Sequence, residues 1–434
     1  MTTEVAPLVH IEERVKERAK SLELDMFTEA GLHGLRTLVT EEIQQWNLEY
    51  KTGLRPFDLR DPDGLEERAW RNLAGYGPLE VLLDDDDVWE IMINSPDQIF
   101  VKRHAGGSGY HDEVFHDDAH VIRTLTKILD DSSQSHRKLD PSLGLQDAQL
   151  DSGARLHIVH ADISRGGHTM VNIRKFTGVP FRSLDELVER NMLTTTASKF
   201  LRACVRSQLS IIFAGAPGAG KTTLLSCCCA EIDPALRVVI AEEVFEADIP
   251  IPNVASMQTR SERAERPAVD LRRLVAGFLR MAPDVAIVGE VRDKEALPLL
   301  LTLSSGVSGY TTIHAGSARQ ALSRLRFICQ LADTSNELPM SALTNLVSDS
   351  IDIVVHCVRT ESGPIVSSIL AVEDLTSSHD GGQFTVSELF NRGADNSQLH
   401  WSGELPIRAA RRLESAGFNL RSLLDVTAGT KTPN

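Results

Sequence analysis

From Ile11 to about Trp46, Leu, Val, Ile and Met recur among charged side chains at helical spacing, until KTGLRPFDLRDPDG interrupts with Pro, Gly and Asp. The pattern predicts a helical N-terminal arm and linker over residues 1–60. From Leu65, a helix-compatible run (LEERAWRNLAGY) leads through GPLEVLLDDDDVWEIMIN into short β-rich runs, QIFVKR, RLHIVH and TMVNIRKF. These predict a smaller α+β domain over residues 65–176, closed by the loop signal Thr177-Gly178-Val179-Pro180.

Beyond that loop the period changes. LSIIFAG, LRVVIAEE, DVAIVGE and YTTIHA are short apolar runs, separated by the longer helix-compatible runs KTTLLSCCCAEI, VDLRRLVAGFLRMA and EALPLLLTLSSG. Apolar strands alternating with helices imply a mostly parallel sheet covered on both faces, so residues 181–358 are expected to form an α/β nucleotide-binding domain. Residues 359–434 read as an irregular, polar extension ending in a helix, IRAARRLESAGFNLRSLLDV.

Composition narrows the class. At 42% hydrophobic and 24% charged, the chain has a soluble globular make-up, and no run approaches the ~18 unbroken apolar residues of a membrane span. The start, MTTEVAPLVHIEERVKERAK, lacks the basic-then-apolar order of a secretory signal, which predicts a cytoplasmic protein. Six cysteines (Cys204, the run Cys227–Cys229, Cys329 and Cys357) include no CxxC spacing, so buried, reduced thiols are expected. A net charge of −16 disfavours nucleic acid as a partner. The acidic run Asp84–Asp87 reads as a solvated turn.

The strongest chemical signal is Gly215-Ala216-Pro217-Gly218-Ala219-Gly220-Lys221-Thr222, which matches GxxxxGK[ST] at every fixed position between an apolar strand and a helix-compatible run. The glycines let backbone N–H groups turn toward phosphate oxygens, and the helix beginning near Lys221 adds its positive end. The expected nucleotide-binding set is Gly215, Gly218, Ala219, Gly220, Lys221, Thr222 and Thr223, with Lys221 on the β- and γ-phosphates of ATP and Thr222 on Mg²⁺.

Hydrolysis also needs a carboxylate, and Asp284-Val285-Ala286-Ile287-Val288-Gly289-Glu290 is an apolar strand ending in one. Its place at a strand's C-terminal end puts Glu290 beside the phosphate loop. Glu242, Glu243 and Glu246 follow another strand. His314, ending Tyr310-Thr311-Thr312-Ile313-His314, is a structural residue or a sensor of the γ-phosphate.

In order and spacing, GAPGAGKTT, IVGEVRD and GVSGYTTIHAGSARQALSRL resemble the type II/type IV secretion ATPase superfamily. GYGPLEVLLDDDDVWEIMINSPDQIFVKR and VNIRKF resemble in particular its CpaF-like branch, the ATPases of tight-adherence (Flp-type) pili. The resemblance covers about residues 65–358 and implies a RecA-like P-loop domain preceded by a PAS-like α+β domain.

It further implies Glu290 as the Walker B glutamate, Glu242, Glu243 and Glu246 as the acidic box, and His314 as the His-box histidine. Mg²⁺ would be held by Thr222 with Glu243 or Glu290. Arg155 and Arg174 fall where the family brings arginines from the N-terminal domain onto the nucleotide, and Arg260 matches another family arginine. Two departures stand out: AEEVFEA carries Glu243 where the family has aspartate, and HAGS replaces HANS.

The implied protein is an ATP-hydrolysing motor for pilus assembly or protein secretion. It would be a homohexamer, peripheral at the inner face of the cell membrane, working on an inner-membrane platform protein. A conjugative or type IV secretion traffic ATPase and a non-hydrolysing, nucleotide-gated adaptor are the alternatives.

Overall fold

The computed structural model describes residues 5–25, 28–103, 107–132, 138–175, 181–260, 267–332, 338–374, 383–393 and 398–424. The expected loop Thr177–Pro180, most of the polar stretch SSHDGGQF and the end of the final predicted helix lie outside them. The chain divides into two compact units, residues 1–177 and 178–434.

The first unit opens with α1 (Val5–Ser21), α2 (Glu29–Lys51) and α3 (Pro62–Ala74). The expected arm is instead a packed helical hairpin. Leu8, Ile11 and Val15, three and four residues apart, share one face of α1 and meet Leu35, Val39, Ile43 and Trp46 of α2 in a core of their own. Charge reinforces the apolar seam. Buried Glu42 takes Arg14 and Arg18, each at 2.8 Å, and buried Glu12 accepts from Asn72 Nδ2 at 2.7 Å and lies 3.0 Å from His116 Nε2.

The rest of this unit is α4 (Glu80–Asp84), β1 (Val88–Ser95), β2 (Gln98–Arg103), β3 (Gly109–Tyr110), α5 (Asp118–Asp131), β4 (Leu145–Gln149), β5 (Arg155–Val159) and β6 (Met170–Arg174). The sheet is antiparallel throughout, in the order β3-β2-β1-β6-β5-β4. Alternate residues Ile91, Ile93, Leu156, Ile158, Val171 and Ile173 point to one face and pack with Val121, Leu125 and Ile128 of α5. The turn around Asp84–Asp87 is more than a solvated run: Asp85 and Asp87 face Arg103, and Lys175 Nζ donates to the carbonyls of Leu82 (2.9 Å) and Asp85 (2.7 Å).

The second unit runs α6 (Leu184–Glu189), α7 (Thr195–Arg206), β7 (Ile211–Gly215), α8 (Lys221–Cys229), β8 (Val238–Glu242), β9 (Val254–Gln258), α9 (Leu271–Val275), β10 (Val285–Val288), α10 (Ala296–Leu303), β11 (Ser308–Ile313), α11 (Ala318–Ala332), α12 (Met340–Ser350) and β12 (Ile353–Thr360). It ends with β13 (Gly363–Val372), β14 (Val386–Asn391), β15 (His400–Trp401), α13 (Ile407–Ser415) and α14 (Leu420–Leu424). The sheet order is β15-β14-β13-β12-β7-β11-β10-β8-β9, parallel from β12 to β9.

Each central strand is buried on both faces. Ile211 and Phe213 of β7 face a core shared with α7 and α8, while Ile212 and Ala214 face one shared with α10, α11 and α12. This is a RecA-like sheet, with β11 inserted between the phosphate-loop strand β7 and the acidic strand β10. All six cysteines are buried and free, and burial pushes the Cys227, Cys329 and Cys357 thiols up to about 12, which keeps them protonated.

Three sequence expectations change here. Residue 358 is no boundary, because it lies inside β12; the apolar runs PIVSSILAV and VSELF form β13 and β14 and extend the same sheet. VDLRRLVAGFLRMA is not one helix but α9 followed by a short 3-10 turn, Phe278–Met281, ending at left-handed Ala282. The final predicted helix breaks at Gly417, whose φ of +88° closes α13 before α14 begins.

Asp352 joins this C-terminal region to the sheet. Buried at 6% exposure, it accepts from Ser210 N (2.8 Å), Arg408 (3.1 Å) and Arg412 (2.8 Å). Replacing it with alanine removes the carboxylate partner of Arg408 and Arg412 and orphans the buried Ser210 N–H, so Asp352→Ala should destabilise the second unit by about 2–3 kcal/mol. Urea denaturation followed by circular dichroism measures this, and an unchanged midpoint would show that the contacts carry no stability.

Candidate nucleotide site

The phosphate loop leaves β7 at Gly215, where only glycine fits: φ is +150°, and a Cβ would sit 2.2 Å from the Cys357 carbonyl oxygen. Gly220, at φ +83°, is equally restricted, since a Cβ would meet Pro364 and Met192 at 3.0 and 3.1 Å. Gly218 is also left-handed, at φ +72°. These conformations deliver the chain into α8, whose N-terminus has no side-chain cap and leaves its first N–H groups for a ligand. The cradle fits a phosphate chain. Lys221 is buried, with Nζ 3.0 Å from the Ala216 carbonyl oxygen inside the same loop, and Thr222 and Thr223 lie half-exposed in the first turn of α8.

The strand order brings the remaining groups alongside in sequence. His314 follows β11, and its Nδ1 is 3.2 Å from Lys221 Nζ and 3.2 Å from the Gly215 carbonyl oxygen. Its Nε2 is 2.8 Å from Glu290 Oε1. Glu290 Oε2 accepts from Arg292 at 2.6 Å, and the other arm of Arg292 reaches Glu243 at 3.1 Å. With the ring proton on Nε2 facing the carboxylate, Nδ1 accepts from the Lys221 ammonium.

Burial alone would raise the Glu290 carboxyl. The contacts from His314 and Arg292 outweigh it and pull the group down to about 2, so Glu290 is ionised at every physiological pH.

Glu242 has a different place from Glu243. It is buried, and its Oε1 accepts from the backbone N–H groups of Glu246 and Ala247, each at 3.0 Å, shaping the acidic loop. Gly289 makes room for it, since a Cβ there would meet Glu242 Cγ at 2.9 Å. Of the acidic group, Glu243 is the one paired with Arg292 beside Glu290. In HAGS, the Gly316 N–H donates to Gln320 Oε1 at 3.1 Å.

Arg155 and Arg174 belong to the first unit, where they are direct register partners on β5 and β6. The geometry thus places two candidate arginines together. Arg260 is held locally: its backbone pairs with Val269 at 2.9 and 2.8 Å, and its guanidinium donates to the Pro267 carbonyl.

Sequence reasoning left two residues unassigned. Arg292 bridges the carboxylates, and its signal was its place two residues after Glu290. Arg359 of β12 donates to the Gly218 carbonyl at 3.2 Å, and only the sheet order brings it to the loop.

Residues 72–390 match the family described as Type II/IV secretion system protein. The chain belongs to that family. It is 32% identical over 297 residues to the type IV secretion system protein PtlH of Bordetella pertussis, covering 63% of this chain and 86% of the relative. It is 29% identical over 304 residues to the conjugal transfer protein TrbB of Rhizobium radiobacter, covering 69% and 88%. Among solved structures, the VirB11 ATPase of the Brucella suis type IV secretion system, in complex with sulphate, is 26% identical, with 67% of this chain and 94% of that one covered at a TM-score of 0.36.

Family membership makes this chain a secretion-system ATPase. Among its described residues, no helix is long and apolar enough to cross a membrane.

The depressed Glu290 carboxyl carries a stability consequence. Its folded value of about 2 lies below the ordinary 4.5, so its contribution is complete above pH 4.5 and fades as pH falls toward 2. Thermal unfolding of the native chain should therefore lose more stability across that window than Glu290→Gln does, by on the order of 1–3 kcal/mol. Parallel curves for the two proteins would rule the coupling out.

Proposed function

We propose that this chain hydrolyses ATP with Mg²⁺ and couples the reaction to assembly of a pilus or movement of protein through a cell-envelope machine. The supporting observation is the unbroken contact series Lys221, His314, Glu290, Arg292 and Glu243 along the carboxyl ends of β7, β11, β10 and β8. Bound Mg·ATP supplies the phosphoanhydride bond and the cation that offsets its charge.

Lys221 exchanges its contact with the Ala216 carbonyl for phosphate oxygens, and the Thr222 hydroxyl holds the metal. Arg292 holds Glu290 Oε2 at 2.6 Å, so it must release that oxygen before the carboxylate orients water and takes its proton. His314, touching both Lys221 and Glu290, couples the phosphate side of the site to the base. Glu243 or Glu290 completes the metal shell through water. The retained Glu290 and His314 weigh against the non-hydrolysing adaptor.

In the same reading, Arg155 and Arg174 neutralise charge developing on the γ-phosphate, in a homohexameric ring. The chain works in the cytoplasm, docked on an inner-membrane platform protein, with no nucleic-acid partner. The N-terminal phrasing favours a tight-adherence pilus motor of the CpaF-like branch. The names of the relatives, conjugal transfer and type IV secretion proteins, favour a traffic ATPase as the second reading.

Steady-state Mg²⁺-dependent phosphate release tests the chemistry. Lys221→Ala and Glu290→Gln should each lower kcat by about 10²–10⁴ without changing oligomer size. A native assembly that binds ATP and never turns it over would sink the motor reading in favour of the adaptor.

Arg155→Ala and Arg174→Ala should lower kcat by about 10³ or more while nucleotide affinity changes little. Unaltered turnover in both would leave these residues a structural role on their strands.

A further inference from the structure

A second cavity, of about 600 Å³, lies within the first unit among α1, α2, α3 and α5, and the ATPase chemistry makes no use of it. Its composition runs against that of the chain, whose net charge is −16. Lys16, Lys20, Arg123 and Lys127 line it, against one lining carboxylate, Glu23. Lys127 also lies 3.0 Å from Asp131, while Lys16, Lys20 and Arg123 are exposed around the opening.

The floor is mixed. Leu35 and Leu73 supply apolar surface, and buried His120 adds the edge of its ring. His120 is 1% exposed, and its Nδ1 accepts from the His116 N–H at 3.4 Å, which puts the ring proton on Nε2. That Nε2 is buried and has no hydrogen-bond partner. It lies against Gly77, where an ideal Cβ would sit 3.2 Å from it, while the ring as a whole borders the cavity ringed by cations. Burial, with the positive charge of Arg123 and Lys16 adding to it, holds the His120 ring down to about 3, so the ring is neutral and the local potential favours an anion.

We propose that this cavity binds a small phosphate-bearing ligand with an apolar portion. The phosphate would meet Lys16, Lys20 and Arg123, and the apolar part would lie on Leu35, Leu73 and the edge of the His120 ring. A multiply charged oxyanion suits several converging cations better than a single carboxylate does. The same chemistry is offered by a soluble phosphate ester and by the headgroup of an anionic lipid.

The test uses the full chain carrying Lys221→Ala, so that the phosphate loop does not compete for the probe. Hexyl phosphate is titrated by calorimetry against hexanol as control, and flotation is measured with phosphatidylcholine vesicles with and without phosphatidic acid. Hexyl phosphate should bind at one site per chain, and adding Lys16→Glu with Arg123→Glu should weaken it at least tenfold. The milder pair Lys16→Gln and Arg123→Gln should give an intermediate loss, and His120→Leu a smaller one.

In the chain with Lys221 intact, the reversed pair should leave Mg·ATP hydrolysis unchanged, which shows that it folds. Binding only to phosphatidic acid vesicles, lost in the same reversal, assigns the cavity to a lipid headgroup and upholds the proposal. No binding to either probe, or an affinity that survives the reversal, overturns it.

Discussion

The site rests on one constraint: β12, β7, β11, β10 and β8 are parallel neighbours, so all of them end at the same edge. Strands buried on both faces have no freedom to slip, because a one-residue shift would move every side chain from one helical layer to the other. The groups just past the strand ends therefore appear side by side in the order of the strands, not of the sequence. Lys221 follows β7, His314 follows β11, Glu290 follows β10 and Glu243 follows β8, and each touches the next directly or through Arg292.

Electrostatics then sets the state of that edge. Buried Lys221 and the half-exposed Arg292 flank a histidine and a carboxylate, and the two carboxylates on Arg292 share its single charge. Glu290 stays ionised despite its burial because its neighbours outweigh the desolvation penalty. Arg292 holds Oε2 while Oε1 lies 2.8 Å from His314 Nε2, so the geometry is poised rather than open. Glu242 shows the contrast: an adjacent glutamate turned inward and hydrogen-bonded to backbone becomes a loop fastener.

Much was legible in the linear text because some functions impose local backbone rules. A left-handed glycine that cannot carry a Cβ, a lysine at a helix start and an apolar strand ending in an acid are all readable without a fold, which is why Gly215, Gly220, Lys221 and Glu290 stand out in the sequence before the sheet brings them to one edge. The N-terminal hairpin was legible as helices but not as a packed layer, since periodicity reveals an apolar face and not the surface that covers it. β13 and β14 escaped notice because their apolar runs sit among polar, turn-forming residues.

By itself, then, the sequence determined the class of the catalytic domain, its phosphate loop, its acidic strand and its family, all properties of contiguous residues whose spacing is dictated by helix and strand geometry. Only the tertiary structure decided which acid pairs with which base, that Arg292 bridges two carboxylates, that Arg359 reaches the phosphate loop, and that Arg155 and Arg174 stand opposite one another. It also decided that four cations and a buried histidine border a cavity in the first unit. These are relations between segments far apart in the chain, set by sheet order and helix packing, which local spacing does not encode.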